Sequence, residues 1–144
     1  MDQVWQLLEN KGHEVITIGP DETVFHALQR MADKDIGALV VIDGIAVIGI
    51  FSERDYARKV VLHGKTSTDT PVRQVMSTRV LYVRPDQSLE DCMALMTDKH
   101  IRHLPVIDGD TLVGIISIGD VVKAVISHQD FIITQLENYI TSSR

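Results

Sequence analysis

Polar and hydrophobic residues between positions 88 and 117 follow a helical period first and a strand pattern afterwards. Apolar side chains recur at helical spacing behind Ser88, whose hydroxyl can cap the free N–H groups at a helix start. These side chains are Leu89, Cys92, Met93, Leu95 and Met96. Two β-branched runs, 104–107 and 112–116, then flank an Asp-Gly pair, which favours a hairpin. The pattern predicts a helix followed by two antiparallel strands.

The first half of the chain carries the same pattern. Shifted by 65 residues, the sequence matches itself without a gap, and 16 of the 41 positions from 20 to 60 are identical. Each copy predicts the order β-α-β-β-α, with a first strand over 15–18 or 80–83 and a last helix over 52–62 or 117–127. A single copy would bury too little surface to be stable alone, so we expect the two copies to pack sheet to sheet as one unit.

The predicted fold class is therefore mixed α/β (α+β), a tandem of β-α-β-β-α repeats in one pseudo-symmetric unit with an extra helix at each end. We assign the first repeat to 12–62, a linker to 63–76, the second repeat to 77–127 and a C-terminal helix to 128–144. Together they make residues 1–144 one pair of repeats.

The terminal helices carry apolar residues that predict a homodimer. On the C-terminal helix, one face is formed by Ile132, Ile133, Leu136 and Ile140, and the N-terminal segment adds Trp5 and Leu8. On this interpretation they need cover from beyond their own chain, which a closed two-fold contact would supply.

The composition of the chain argues against several classes of protein. Hydrophobic residues make up 44% of 144 residues, enough for a core, and the net charge of −6 lacks the basic surplus of a nucleic-acid-binding domain. We see neither a signal peptide nor an apolar stretch long enough to span a bilayer, so we expect no membrane partner and a cytoplasmic location. The single cysteine, Cys92, excludes an internal disulfide.

The strongest candidate chemistry is a Ser-x-x-Asp motif that occurs in both copies, as Ser52–Asp55 and Ser117–Asp120. Each motif lies where a predicted strand turns into a helix, and a helix N-terminus favours a phosphate group. The serine can donate a hydrogen bond to phosphate or ribose, and the carboxylate can accept from both ribose hydroxyls. The same motif is also close to a capping box, so it can equally be a helix cap, and both roles can coexist.

Four segments together resemble the CBS domain, arranged as the tandem called a Bateman module. They are Ile36-Gly37-Ala38-Leu39-Val40-Val41, Gly49-Ile50-Phe51-Ser52-Glu53-Arg54-Asp55, Arg102-His103-Leu104-Pro105-Val106 and Gly114-Ile115-Ile116-Ser117-Ile118-Gly119-Asp120. The resemblance covers nearly the whole chain, so the chain is similar to stand-alone CBS-domain signalling proteins. It implies an adenine-nucleotide ligand (AMP, ADP, ATP, NAD or S-adenosylmethionine) in clefts between the repeats, disc-shaped dimers, and an unknown regulated protein.

The resemblance also implies which residues meet the nucleotide. Arg102 and His103 would face phosphates, while Asp55 and Asp120 would hold ribose. The remaining nucleotide-binding candidates are Gly12, His13, Ile16, Ile36, Gly37, Ala38, Ser52, Arg54, Ser77, Thr78, Leu81, Ile101, Ser117 and Gly119. For the apolar members, plain core packing is an equal alternative. Because Gly37 and Ala38 stand where the second copy has Arg102 and His103, we expect the Asp120 site to hold the more highly charged ligand.

Two other functions compete with nucleotide sensing. The chain could be a ligand-independent interaction and dimerisation module, although the presence of both aspartates favours a ligand. It could also be an enzyme, but no nucleophile–base pair is evident, and we expect neither a catalytic cofactor nor a metal.

Overall fold

The computed structural model describes residues 2–142, which divide into two compact units. One unit is the continuous segment Glu14–Leu81. The other combines the segment that ends at His13 with the segment that begins at Tyr82. No helix within residues 2–142 is both long enough and apolar enough to cross a membrane.

The elements of the Glu14–Leu81 unit are β1 (Thr17–Ile18), α2 (Val24–Lys34), β2 (Ala38–Asp43), β3 (Ala46–Ser52), α3 (Glu53–Asp55), a π-helical segment (Tyr56–Val61) and a 3-10 turn (Val72–Gln74). The strands form a sheet in the order β1-β2-β3, with β1 parallel and β3 antiparallel to β2. The core packs Phe51, Leu39 and Ile18 against the apolar face of α2.

The second unit contains the antiparallel pair β4-β5 and three helices. Its elements are α1 (Val4–Lys11), α4 (Leu89–Lys99), β4 (His103–Asp108), β5 (Thr111–Ser117) and α5 (Ile118–Ser142). The predicted fold class and the helix at each end are confirmed, and both hairpins form at the Asp-Gly pairs with a bulge at equivalent positions.

The helix caps are those that the hydroxyl residues predict. Thr23 Oγ1 accepts a hydrogen bond from the N–H of His26 at the start of α2, at 3.2 Å. Ser88 Oγ accepts from the N–H of Asp91 at the start of α4, at 3.0 Å. At the other ends, Asp35 and His100 adopt the left-handed conformation that commonly terminates a helix.

Three sequence-based expectations were wrong. The strand expected over 80–83 is reduced to a single bridge between Val83 and Val106. The helix expected over 117–127 and the separate C-terminal helix are one continuous helix, α5, because no Gly or Pro interrupts residues 120–142. Leu8 does not need outside cover, since it is 1% exposed within its own chain, whereas Trp5 is 46% exposed.

Each hairpin has a glycine against which a side chain from another segment packs. The segment before the first repeat packs on the hairpin of the second, and the segment before the second repeat packs on the hairpin of the first. A Cβ added to Gly114 of β5 would lie 2.7 Å from Leu8 Cδ2 of α1. A Cβ added to Gly49 of β3 would lie 2.6 Å from Met76 Sδ, and 3.0 Å from the carbonyl oxygen of Ser77. The two glycines occupy equivalent positions in the two repeats. In both units, the lack of a side chain there leaves room for the segment that packs over the strand.

We expect Gly114→Ala to lower the free energy of unfolding by about 1–3 kcal/mol, because the new methyl group overpacks the fully buried Leu8. Gly119→Ala is the matched control: its Cβ would meet only Ser117 Oγ at 3.6 Å, and alanine favours a helix. Urea denaturation of both variants measures the difference. In the Leu8→Ala background the cost of Gly114→Ala should shrink; an undiminished cost would show that Leu8 is not the cause.

Candidate functional site

The two units build the same junction where the second hairpin strand enters a helix. Across β4-β5, His103 lies opposite Ser117, and across β2-β3, Ala38 lies opposite Ser52. The first turn of each helix is tied to the residue before the hairpin. Thus the N–H of Ile118 donates to the carbonyl of Arg102 at 2.8 Å, and the N–H of Glu53 donates to that of Gly37 at 3.1 Å.

Both Ser-x-x-Asp motifs form reciprocal capping boxes. The N–H of Ser117 donates to Asp120 Oδ2 at 2.8 Å, and the N–H of Asp120 donates to Ser117 Oγ at 3.1 Å. The corresponding distances for Ser52 and Asp55 are 3.0 and 3.2 Å. The capping interpretation of the motif is therefore confirmed, and one carboxylate oxygen of each aspartate is used by its own helix.

The second oxygen of Asp55 is also occupied. Asp55 Oδ1 accepts a hydrogen bond from Ser77 Oγ at 3.2 Å and lies 3.1 Å from Lys59 Nζ. Lys59 Nζ in turn lies 3.4 Å from Ser77 Oγ. Asp55 is only 9% exposed. The Asp55 carboxylate is thus closed off by groups of its own unit.

Asp120 is different, because its second oxygen is left open. Lys11 Nζ donates to Asp120 Oδ2 at 2.5 Å, and also to the carbonyl of Ile115 at 2.7 Å. Within residues 2–142, Asp120 Oδ1 accepts no hydrogen bond, and the side chain is 27% exposed. Desolvation raises the pKa of Asp120, but the hydrogen bond and charge of Lys11 and the bonds from Ser117 together hold that pKa below its ordinary value.

The charges of Lys11 and Asp120 also act on His103. Burial lowers the pKa of His103, the charges of Lys11 and Arg102 lower it further, and Asp120 opposes them only in part. At neutral pH the imidazole is therefore uncharged, so the positive charge at this junction comes from Lys11 and Arg102.

The structure distributes the remaining candidates between the units. Gly12 ends α1 with a φ of 104°, and His13 Nδ1 lies 3.1 Å from the carbonyl of Val113 on β5. These two residues therefore share a unit with Asp120, whereas Ser77 shares one with Asp55. Thr78 and Arg54 are exposed, and Gly119 lies exposed in the first turn of α5. The partly buried candidates are Ile16, Ile36, Leu81 and Ile101, of which Ile16 and Ile36 pack on the core of the Glu14–Leu81 unit.

Ile36 and Gly37 also line a groove of about 500 Å³ between α2 and α3. Its other lining residues are Leu28, Met31, Ala32, Asp35, Glu53 and Tyr56. Since the charged groups on its walls are acidic, this groove is unsuited to a phosphate.

Sequence reasoning missed the two lysines that contact the aspartates. The contact of Lys59 with Asp55 could have been predicted, because Lys59 follows Asp55 by four residues, the spacing of an ion pair on a helix. The contact of Lys11 with Asp120 could not, because 109 residues separate them and only the packing of α1 on β5 brings them together.

Comparison with known proteins identifies the architecture. The family model for the CBS domain matches residues 11–62 and 72–127. The solved structure of a putative signal-transduction protein with CBS domains from Burkholderia ambifaria MC40-6 is 49% identical, with a TM-score of 0.86, covering 89% of this chain and 96% of that one. The mitochondrial CBS domain-containing protein CBSX3 of Arabidopsis thaliana is 39% identical over 83% of this chain, which spans 61% of that relative's length. The CBS domain pair of protein MJ0100, solved with 5′-methylthioadenosine and S-adenosyl-L-methionine, shares the fold at a TM-score of 0.79 and 20% identity, over 89% of this chain and 98% of that one.

We expect His103 to make the free energy of unfolding fall as the pH drops through about 6.5. Its pKa in the folded chain lies below the ordinary 6.5, so the unfolded chain takes up this proton first. The stability is complete above that pH and is lost below it, at no more than about 1.4 kcal/mol per pH unit. Urea denaturation at successive pH values should show a shallower slope of the free energy of unfolding against pH for His103→Gln than for the wild type. Identical slopes for wild type and His103→Gln would contradict the shift.

Proposed function

This chain belongs to the CBS-domain family, and we propose that it is a regulatory module that binds an adenine nucleotide. The proposed ligand is AMP, ADP, ATP or NAD, bound as a signal and released unchanged. The proposal places the main site at the junction of β5 and α5, around Asp120.

The observation that carries the proposal is the open carboxylate oxygen of Asp120. A partly exposed carboxylate at a helix start, with one oxygen unused, can accept hydrogen bonds from vicinal ribose hydroxyls. A plain capping box does not require this, since Oδ2 alone completes the cap. Asp55 has the same capping box, but both of its carboxylate oxygens already accept from groups of its own unit, so we expect it to be the weaker of the two ribose sites.

The charges around Asp120 favour a ligand that carries phosphate. Lys11 and Arg102 supply two cations, and the N-terminus of α5 adds the positive end of a helix dipole. Arginine presents a planar fork that matches two phosphate oxygens, which suits Arg102 to this role. His103 is uncharged at neutral pH and would contribute a hydrogen bond rather than charge.

The comparisons support an adenosyl ligand as a class. The CBS pair of MJ0100 binds two adenosyl compounds in a fold that this chain shares. One feature favours a nucleotide over those ligands here: Lys11 and Arg102 both carry positive charge beside the site, which suits a phosphate group that neither of those ligands has. The ligand-independent interaction module does not require Asp120 to keep an open oxygen.

Thermal unfolding against a panel of AMP, ADP, ATP, NAD and adenosine tests the function directly. A ligand at 100 times its Kd should stabilise the fold by about 2.7 kcal/mol. Asp120→Ala should weaken binding of that ligand by about tenfold or more in calorimetry, because hydrogen bonds to a charged group are worth about 1.5–3 kcal/mol.

The loss of a cap must be separated from the loss of a ligand contact. Ser88→Ala removes a helix cap at α4 and should lower stability with an unchanged Kd. Asp55→Ala should mainly lower stability, because its carboxylate already satisfies Ser52, Ser77 and Lys59. No stabilisation by any nucleotide in the panel would refute the proposal.

Arg102→Ala should reduce affinity for ATP and ADP more than affinity for adenosine, since only the phosphates would meet the guanidinium. The same preference should diminish as salt concentration rises. Arg84→Ala removes an equal charge at an ion pair with Asp86, outside the proposed site, and serves as the control. If Arg102→Ala weakens adenosine and ATP equally, the arginine does not face phosphate.

A further inference from the structure

The C-terminal part of α5 is a helix that the rest of residues 2–142 leaves largely exposed to solvent. From Ile126 to Thr141, every residue except His128 is exposed. The exposed residues include large apolar side chains: Ile126, Phe131, Ile132, Ile133, Leu136 and Ile140. Helices of about this length are marginally stable in water unless an apolar face packs against something. The helix therefore needs a partner along that face.

The spacing of the apolar residues is that of a coiled coil. Ile126, Ile133 and Ile140 repeat every seven residues. Val122 lies four residues before Ile126, and Gln129 and Leu136 each lie three residues after one isoleucine and four before the next. These six residues form one stripe along the helix. In heptad terms, isoleucine occupies position a, and the last d position holds leucine. β-branched residues at a with leucine at d favour a two-stranded parallel coiled coil. Phe131 lies outside this stripe, at position f.

The charges beside the stripe also favour a parallel pair. The acidic residues Asp130 and Glu137 both occupy position e, while position g holds the apolar Val125 and Ile132. In an antiparallel pair, e faces e, so the carboxylates of the two chains would repel one another. In a parallel pair, e faces g, and each carboxylate meets an apolar neighbour instead of a like charge.

Gln129 is the polar residue inside this stripe, and it restricts how the two helices can be aligned along their length. In a parallel, in-register pair, the two Gln129 amides meet and can donate to and accept from each other. A shift by one heptad would place each amide against an apolar layer without a partner, at a cost in free energy. The occupant that satisfies all of these positions is a second copy of the same helix.

We propose that α5 pairs from Ile126 onward with α5 of a second copy of this chain, as a parallel, in-register, two-stranded coiled coil. This inference is independent of the nucleotide site, because no residue from Ile126 onward contributes to it. In this arrangement the two α5 helices point in the same direction, and the two-fold axis that relates the two copies runs parallel to them.

Single cysteines along the stripe test the arrangement. Ile126→Cys, Ile133→Cys and Ile140→Cys should each form an intermolecular disulfide under mild oxidation, because equivalent a positions face each other across a parallel axis. The native thiol will not compete, since Cys92 is buried and its pKa is raised to about 11, mainly by desolvation. Thr134→Cys, on the opposite side of the helix, is the control and should cross-link far less.

The outcomes separate the alternatives. Cross-linking at all three a positions and not at Thr134 supports the proposal. Cross-linking at only one of the three would indicate an antiparallel pair, and equal yields at Ile133→Cys and Thr134→Cys would indicate random collision; either result overturns it, as does no cross-linking at all.

Sedimentation gives a second readout without oxidation. The wild-type chain should sediment at twice its 16.1 kDa mass at micromolar concentration, and the double variant Ile133→Glu with Leu136→Glu should weaken this association by at least tenfold. Phe131→Glu introduces the same kind of charge on an exposed residue of the same helix but outside the stripe, and should leave association intact. Equal association in both variants would overturn the proposal.

Discussion

The packing of a preceding segment against a strand glycine is the contact on which the candidate site depends. Leu8 fills the space above Gly114, and Met76 fills the space above Gly49. Because of the first contact, α1 ends beside β5, and Lys11 reaches Asp120 across 109 positions of sequence. Because of the second, Ser77 reaches Asp55. Two glycines without side chains thus admit the segments that bring Lys11 to Asp120 and Ser77 to Asp55.

Duplication has produced two junctions with the same backbone and different chemistry. Both keep the capping box, and both tie the helix start to the residue before the hairpin. In one, Ala38 lies opposite the cap, and a lysine one turn further along the helix completes a closed polar cluster. In the other, an imidazole lies opposite the cap, and the lysine comes from a distant helix. A repeat can therefore retain its architecture while one copy closes its carboxylate and the other leaves it accessible.

The elements with local causes were predictable from the sequence. Hairpins follow Asp-Gly, helices follow Thr23 and Ser88, and all of these appear as expected. The failures have non-local causes. Residues 80–83 have the composition of a strand, but only Val83 finds a bridging partner. The pairing of Lys11 with Asp120 depends on tertiary packing, which no local pattern encodes. The motif itself indicated both a cap and a ligand contact, and the partners of the second carboxylate oxygen, which differ between the two copies, could be seen only in the structure.

The continuity of α5 has a mechanical consequence. A single helix carries Asp120 in its first turn and the uncovered stripe at its far end, with no Gly or Pro between them to act as a hinge. A helix of 25 residues is about 37 Å long, so a tilt of about 10° at its base would displace its tip by about 6 Å. A small change of angle near Asp120 therefore becomes, at the C-terminal end of α5, a movement larger than the helical pitch of about 5.4 Å.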